Sequence, residues 1–269
     1  MCQFRSLHEV SAQQLMECFN SAFSDYEQPI RFTPESLEHY LTASAVNLSL
    51  SFGAFYDEQL IAFILNSAGV YNNQRVVFDA GTGVVPEHRD KKVFSALFEY
   101  TIQQLKHHNI ERYYLEVLQS NHRAVSIYSK KGFSVQREYS VLTASGPGHG
   151  GDNHISVIPY QDFTPFSTKH SIEPSFEHTS YTINQNPQLF EVLYINDQAY
   201  CIYAKRHGEI IQMHYNELGA LKDVVSALIN RYPSAMAKNI DCACCDVIQM
   251  LIDIGFIEIT KQYEMARTI

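Results

Sequence analysis

Apolar positions along the first 144 residues switch between two periods, and the switches mark out the elements. Alternating or continuous apolar runs at 3–7, 48–56, 60–71, 75–85, 112–118 and 133–144 predict strands. Leu15, Cys18, Phe19 and Phe23 recur at helical spacing and predict a helix over 11–23. Thr33 precedes Pro34 and Glu35 as an N-cap before a first-turn proline, so a second helix runs to about Thr42. Asp57, Glu58 and Gln59 turn a hairpin, and Pro86 ends the 75–85 run because it cannot donate a ladder hydrogen bond. Phe94, Leu97, Phe98, Thr101, Ile102 and Leu105 then share one helix face. Asn121 caps a helix carrying Ala124, Val125, Ile127 and Tyr128, with Gly132 as its C-terminal cap. Several strands precede the first strand-helix-strand unit, which predicts an α/β fold with a mixed sheet and helices on both faces.

The stretch GPGHGGDNH at 146–154 interrupts the pattern, because a segment so rich in glycine gains too little from regular structure to offset its lost backbone entropy. It reads as a linker between domains at 1–145 and 155–269. Beyond it, strands are expected near 180–184, 189–195, 199–205 and 209–215, then a helix at 218–230, a strand at 235–240, a helix at 245–254 and a strand at 256–267. Setting Gly132-Phe133 against Gly255-Phe256, an offset of 123 residues, pairs YYLEV with MAKNI and HRAVSIYSKKGF with CDVIQMLIDIGF. A duplicated fold is the preferred reading, with chance similarity as the alternative.

Composition narrows the class. A chain of 269 residues suits two domains, and 45% hydrophobic with 18% charged residues supplies a core and excludes global disorder. No apolar run approaches the ~20 residues that span a bilayer, and the start MCQFRSLHEV lacks a signal-peptide core, so a cytoplasmic chain without a membrane partner is expected. The net charge of −9 has no basic stripe within it, which argues against nucleic acid. Six scattered or bunched cysteines fit reduced thiols. Cys242, Cys244 and Cys245 cannot close a zinc tetrahedron unaided, and the two linker histidines lack companion ligands, so no metal is expected. The three cysteines read as small buried thiols at a strand-to-helix turn.

The window from Asp79 to Phe133 carries the candidate chemistry. With GVVPEHRDKKVFSALF at 83–98, LEV at 115–117 and NHRAVSIYSKKGF at 121–133, the first half resembles the GNAT superfamily of acetyl-coenzyme A dependent N-acyltransferases. The family pattern is a splayed strand, an Arg/Gln-x-x-Gly-x-Gly/Ala loop, a helix, a strand, and a helix with Asn and Tyr before Gly-Phe. The resemblance covers residues 1–145 in order of elements, and its specific part is 79–133. The second half resembles the degenerate C-terminal GNAT-like domain of some tandem members, which would make the chain two GNAT-like αβα domains in tandem.

The resemblance implies an N-acetyltransferase that moves an acetyl group from acetyl-coenzyme A to a primary amine by direct attack, at one site in the first domain. Arg89, Asp90, Lys91, Lys92, Val93 and Phe94 would form the pyrophosphate loop, using backbone N–H groups and the helix dipole. Gly83, Val84 and Val85 would lie beside the pantetheine arm, Asn121 would contact the cofactor, and Tyr128 would be the general acid. For the base, Asp79 and Glu116 are both candidates, with a structural carboxylate as the alternative for each. Tyr128 and Asn121 have packing and capping as alternatives. Lys92 and Phe94 stand where the family usually has glycines, and their side chains could point away from phosphates if that turn is ordinary helix. The acidic and aromatic run Phe23, Asp25, Tyr26 and Glu27 is a candidate acceptor region for a small-molecule or peptide amine. The second half lacks the phosphate loop, has Leu251 and Cys244 where the first has Tyr128 and Asn121, and is expected to wall the cleft or form a homodimer contact. The alternative function is a catalytically silent acyl-coenzyme A binding or interaction module.

Overall fold

Side-chain caps start the first helices where the sequence places them. In the computed structural model, Ser11 accepts the Gln14 N–H at the head of α1 (Ala12–Ala22), and Thr33 and Ser36 form a reciprocal capping box on α2 (Pro34–Ala43). The structure describes residues 2–25, 31–71, 73–146, 155–166 and 171–269, so Tyr26, Glu27 and linker residues 147–154 lie outside it.

The chain divides into two compact units, residues 1–115 with 266–269, and residues 116–265. In the first unit, β1 (Gln3–Ser6), β2 (Phe52–Tyr56), β3 (Gln59–Tyr71), β4 (Gln74–Val84) and the start of β5 (Arg112–Leu118) are neighbours in chain order. Every pairing among them is antiparallel except the parallel β4 and β5. The β2–β3 turn has Asp57 and Glu58 at φ 47° and 64°, the primed geometry that matches strand twist. The helix α3 (Val93–His107) buries Leu97, Phe98, Thr101, Ile102 and Leu105, the face the periodicity predicts. Each such Leu or Phe removed from water contributes about 1.5–3 kcal/mol. Residues 48–50 depart from the expected strand. They form a 3₁₀ turn because Asn47 Oδ1 accepts the Ser49 N–H and Ser51 Oγ donates to the Asn47 carbonyl.

The second unit repeats the strand order. Its neighbours run β7 (Ser156–Pro159), β8 (Phe190–Ile195), β9 (Ala199–Ala204), β10 (Glu209–Tyr215) and β11 (Met236–Asp241), with only β10 and β11 parallel. The helix α6 (Leu218–Arg231) crosses between β10 and β11, and α7 (Cys245–Asp253) follows β11. The strand β7 escaped the sequence reading because its four residues carry no alternation. The expected strand at 180–184 is instead the short helix α5 (Ser180–Ile183). Thr179 caps it through the Thr182 N–H, and both threonine hydroxyls donate to the Phe176 carbonyl, which outweighs the β preference of Tyr, Thr and Ile.

The last strands of the two sequence halves are exchanged. β6 (Ser134–Ala144) pairs antiparallel with β11, and β12 (Phe256–Thr268) lies between the end of β5 and β6. Two hydrogen bonds record the reciprocity, since Gln119 N–H donates to the Lys261 carbonyl and Cys242 N–H to the Glu138 carbonyl, both at 2.9 Å. Donors and acceptors correspond through the same 123-residue offset seen in the sequence. The two repeats follow one another along the chain, while the compact units divide at 115/116 and 265/266.

A buried ion pair sits on the exchanged strands. Arg137 of β6 grips Glu264 of β12 through two bonds of 3.0 and 2.9 Å, and the Tyr139 hydroxyl donates to the same carboxylate at 2.9 Å. Glu264 is 3% exposed, so removing the guanidinium strands a nearly dry charge. Arg137→Ala is expected to lower unfolding free energy by about 3 kcal/mol in urea denaturation, and a loss below 1 kcal/mol would contradict this account.

Candidate functional site

The loop residues Gly83 to Phe94 come together in the first unit, around the place where β4 leaves β5. The β4–β5 register covers Val76–Phe78, whereas pairing with β3 continues to Val84. The segment Asp79–Val84 thus runs on past the parallel partner. Its register with β3 slips at Ala80, so strand alternation breaks between Asp79 and Gly81. Asp79 secures the bulge, with Oδ1 accepting the Gly81 N–H at 3.0 Å and Oδ2 the Thr82 hydroxyl at 2.7 Å. Tyr40 donates its hydroxyl to the bulged Ala80 carbonyl. Gly83 is required by packing, because a Cβ there would meet Phe63 at 2.7 Å and Ala22 at 2.9 Å.

Val85 is buried and its N–H donates to the Ile61 carbonyl, ending the sheet before Pro86. The following turn delivers Arg89, whose guanidinium is engaged within the protein. It pairs with Asp25 at 2.5 and 3.0 Å and donates to the Val84 and Ala22 carbonyls at 3.1 and 2.8 Å. This neighbour holds the Asp25 carboxyl below the usual carboxylate range. Arg89 therefore ties the loop to the end of α1, a task the sequence could not reveal because Asp25 is distant along the chain. Asp90 and Lys92 adopt left-handed backbone at φ 59° and 60°. The turn is thus not ordinary helix at Lys92, which corrects that expectation and gives a physical reason for glycine there. Val93 and Phe94 open α3, where the Phe94 ring meets Phe98 at 5.7 Å and a Cβ costs nothing in helical backbone. Lys91 and Lys92 are exposed, and Lys92 makes no side-chain cap. The first N–H groups of α3 then have no intrahelical acceptor, the arrangement that favours an anion.

Glu116, Asn121 and Tyr128 belong to the second unit. Asn121 Oδ1 accepts the Ala124 N–H at 3.1 Å, so it caps α4 (His122–Lys130) as expected. Gly132, at φ 86°, ends α4 in a Schellman motif, with Gly132 N–H bonded to the Ser129 carbonyl and Phe133 N–H to that of Tyr128. The half-buried Tyr128 ring makes the accompanying contact, edge-on to Phe133 at 5.6 Å. Glu116 is buried and accepts from Asn239 Nδ2 at 2.7 Å and Gln262 Nε2 at 3.4 Å. Asn239 is its counterpart through the 123-residue offset. Burial first, then the nearby Glu177 carboxylate, raises the Glu116 pKa to about 8, against a smaller opposing pull from Lys238. Sequence reasoning missed this cluster, since Glu177, Lys238 and Asn239 carry no recognisable spacing. Among the described residues no group of three or more His, Cys, Asp or Glu is placed to hold a metal ion, and no helix is long and apolar enough to cross a membrane.

Two stability measurements check these assignments. Lys92→Gly removes the left-handed strain and is expected to stabilise the protein by roughly 1 kcal/mol, read from the urea midpoint. The folded pKa of Glu116 lies above its unfolded value, so its favourable contribution is complete below about pH 4 and is lost as pH rises through about 8. Across that window the wild type is expected to lose stability relative to Glu116→Gln; parallel pH profiles would refute the assignment.

Comparison with known proteins follows the same geometry. Residues 12–133 match the model of the acetyltransferase (GNAT) family. No curated protein matches the sequence. Among solved structures, a candidate acetyltransferase from Pyrococcus horikoshii is 10% identical with a TM-score of 0.73, covering 100% of this chain and 89% of its own. A GCN5-related N-acetyltransferase from Sphaerobacter thermophilus is 12% identical with a TM-score of 0.66, covering 99% and 95%. A fungal multi-domain β-N-acetylglucosaminidase contains a GCN5-related glucosamine N-acetyltransferase region that is 12% identical with a TM-score of 0.69, covering 99% of this chain and 38% of that one. At such identities the structures share the fold. The fold, the parting of β4 from β5 and the family match agree, and residues 12–133 belong to the GNAT acetyltransferase family.

Proposed function

We propose that the chain is an N-acetyltransferase that transfers an acetyl group from acetyl-coenzyme A to a primary amine by direct attack, at one site in its first half. The observation that carries the reading is the β4 segment beyond its β5 register, Gly81–Val84, running on to a left-handed turn at Asp90 and Lys92 and then into the head of α3. An extended amide-bearing pantetheine arm suits a strand edge such as that of Gly83–Val84, and a pyrophosphate suits first-turn N–H groups flanked by Lys91 and Lys92. Arg89 sets the shape of the loop through Asp25, Ala22 and Val84 rather than standing ready as a phosphate ligand.

In this reading a neutral amine attacks the thioester carbonyl, the C–S bond breaks, and Tyr128 gives a proton to the departing thiolate. Glu116 and Asp79 are the candidates for accepting the amine proton, and both oxygens of Glu116 accept bonds from Asn239 and Gln262. Both Asp79 oxygens are committed to the bulge. A second reading, a silent acyl-coenzyme A binding or interaction module, is favoured by the engaged Arg89 and by Lys92 and Phe94 at family glycine positions.

Two measurements separate them. Acetyl-coenzyme A at a hundred times its Kd should stabilise the fold by about 2.7 kcal/mol and raise the melting temperature, whereas no shift at millimolar cofactor would overturn the enzyme. With a turnover assay on an amine panel, Tyr128→Phe should lower kcat about a hundredfold with KM little changed. Equal losses in affinity and rate would remove Tyr128 from the acid position.

A further inference from the structure

The proposed acetyl transfer uses no cysteine, yet three cysteines converge on one turn of the second unit. They are not the buried thiols the sequence suggests, for Cys245 is exposed and Cys242 and Cys244 are half-buried. The turn leaves β11 through a Cys244 N–H bond to the Asp241 carbonyl at 2.9 Å, braced by the Ala243 N–H on Asp241 Oδ1 at 2.9 Å. It then enters α7, whose first residue is Cys245. The result is a Cys-x-x-Cys spacing at a helix head, with Cys245 Sγ donating to the Cys242 carbonyl at 3.4 Å. The two thiols thus share one turn, with the Cys245 side chain laid against the Cys242 backbone.

We propose that Cys242 and Cys245 are a reversible dithiol site that reacts with low-molecular-weight disulfides. Cys245 is the exposed member and is the first residue of α7, open to a small disulfide from solvent. Its thiolate attacks one sulfur of the external disulfide, forms a mixed disulfide and expels one thiolate. Cys242, deprotonated in turn, attacks Cys245 Sγ, closes the Cys242–Cys245 bond and expels the second thiolate. Two protein thiols are oxidised, one external disulfide is reduced to two thiols, and the two protons leave with those thiols.

Cys244 is the bystander. Burial first, then the carboxylates of Asp241 and Asp246, raise its pKa and keep it a thiol. Cys242 Sγ lies 3.5 Å from Ser140 Oγ, and the Ser140 hydroxyl proton is committed to Glu258 at 2.7 Å. Cys242 is therefore the S–H donor in that contact, and oxidation removes the donor from a buried serine on β6.

The test equilibrates the full-length protein over a range of oxidised-to-reduced glutathione ratios, traps free thiols with iodoacetamide and maps them by fragmentation mass spectrometry. The expected product has lost two hydrogens, bridges Cys242 to Cys245, and returns to the dithiol in excess reduced glutathione. It persists in Cys244→Ala and is replaced by a stable glutathione adduct on Cys245 in Cys242→Ala, with unchanged circular dichroism. A bridge through Cys244, a bridge between chains, or a wild-type protein that stops at the glutathione adduct would each overturn the proposal. The wild-type map decides the matter even if a variant fails to fold.

Discussion

The exchange of β6 and β12 is the constraint on which most of the second unit rests. A strand edge left open exposes a row of unsatisfied N–H and C=O groups, and here each half's last strand is completed by the other half. The paired bonds from Gln119 to Lys261 and from Cys242 to Glu138 fix the register at equivalent places in the two repeats. Polar residues that would be costly alone become satisfied only in this arrangement. Glu264 meets Arg137 and Tyr139 across the exchanged strands, and Glu116 meets its own repeat counterpart Asn239. Asn239 takes a φ of 59° within the β11 irregularity between Ala237 and Ile240, so the ladder bends where the cluster forms.

In the first unit the controlling feature is backbone shape rather than side-chain charge. Sequence inspection weights Arg89, Lys91 and Lys92 as cations awaiting a phosphate. Arg89 instead clamps the loop from within, and the left-handed residues Asp90 and Lys92 turn the chain into α3. Glycine enters left-handed backbone at little cost, whereas Lys92 pays about 1–2 kcal/mol for its Cβ. The helix head is preserved at that cost, and Phe94 is accommodated because its position is ordinary helix. The departures from the family loop therefore alter strain more than shape.

Most of the fold was legible because its signals are local. Thr33 with Pro34, Asn121 and Gly132 each satisfy or release backbone groups within a few residues, and each marks the helix end that the structure shows. Misreadings arose where short-range hydrogen bonds outweighed composition, as at Thr179–Ile183 and Asn47–Ser51. The candidate site divides the same way. The order of loop, helix, strand and helix follows from periodicity, and the capping by Asn121 follows from residue type.

What the chain by itself determined was most of its elements, their repetition at a 123-residue offset and the family of its first half. Only the tertiary structure decided that the last strands trade partners, that Arg89 is spent on Asp25, that Glu116 meets Asn239, and that Cys245 faces water. Caps and periods depend on neighbours within one or two turns, whereas these four outcomes depend on residues brought together from 64 to 142 positions apart or on what packing leaves uncovered.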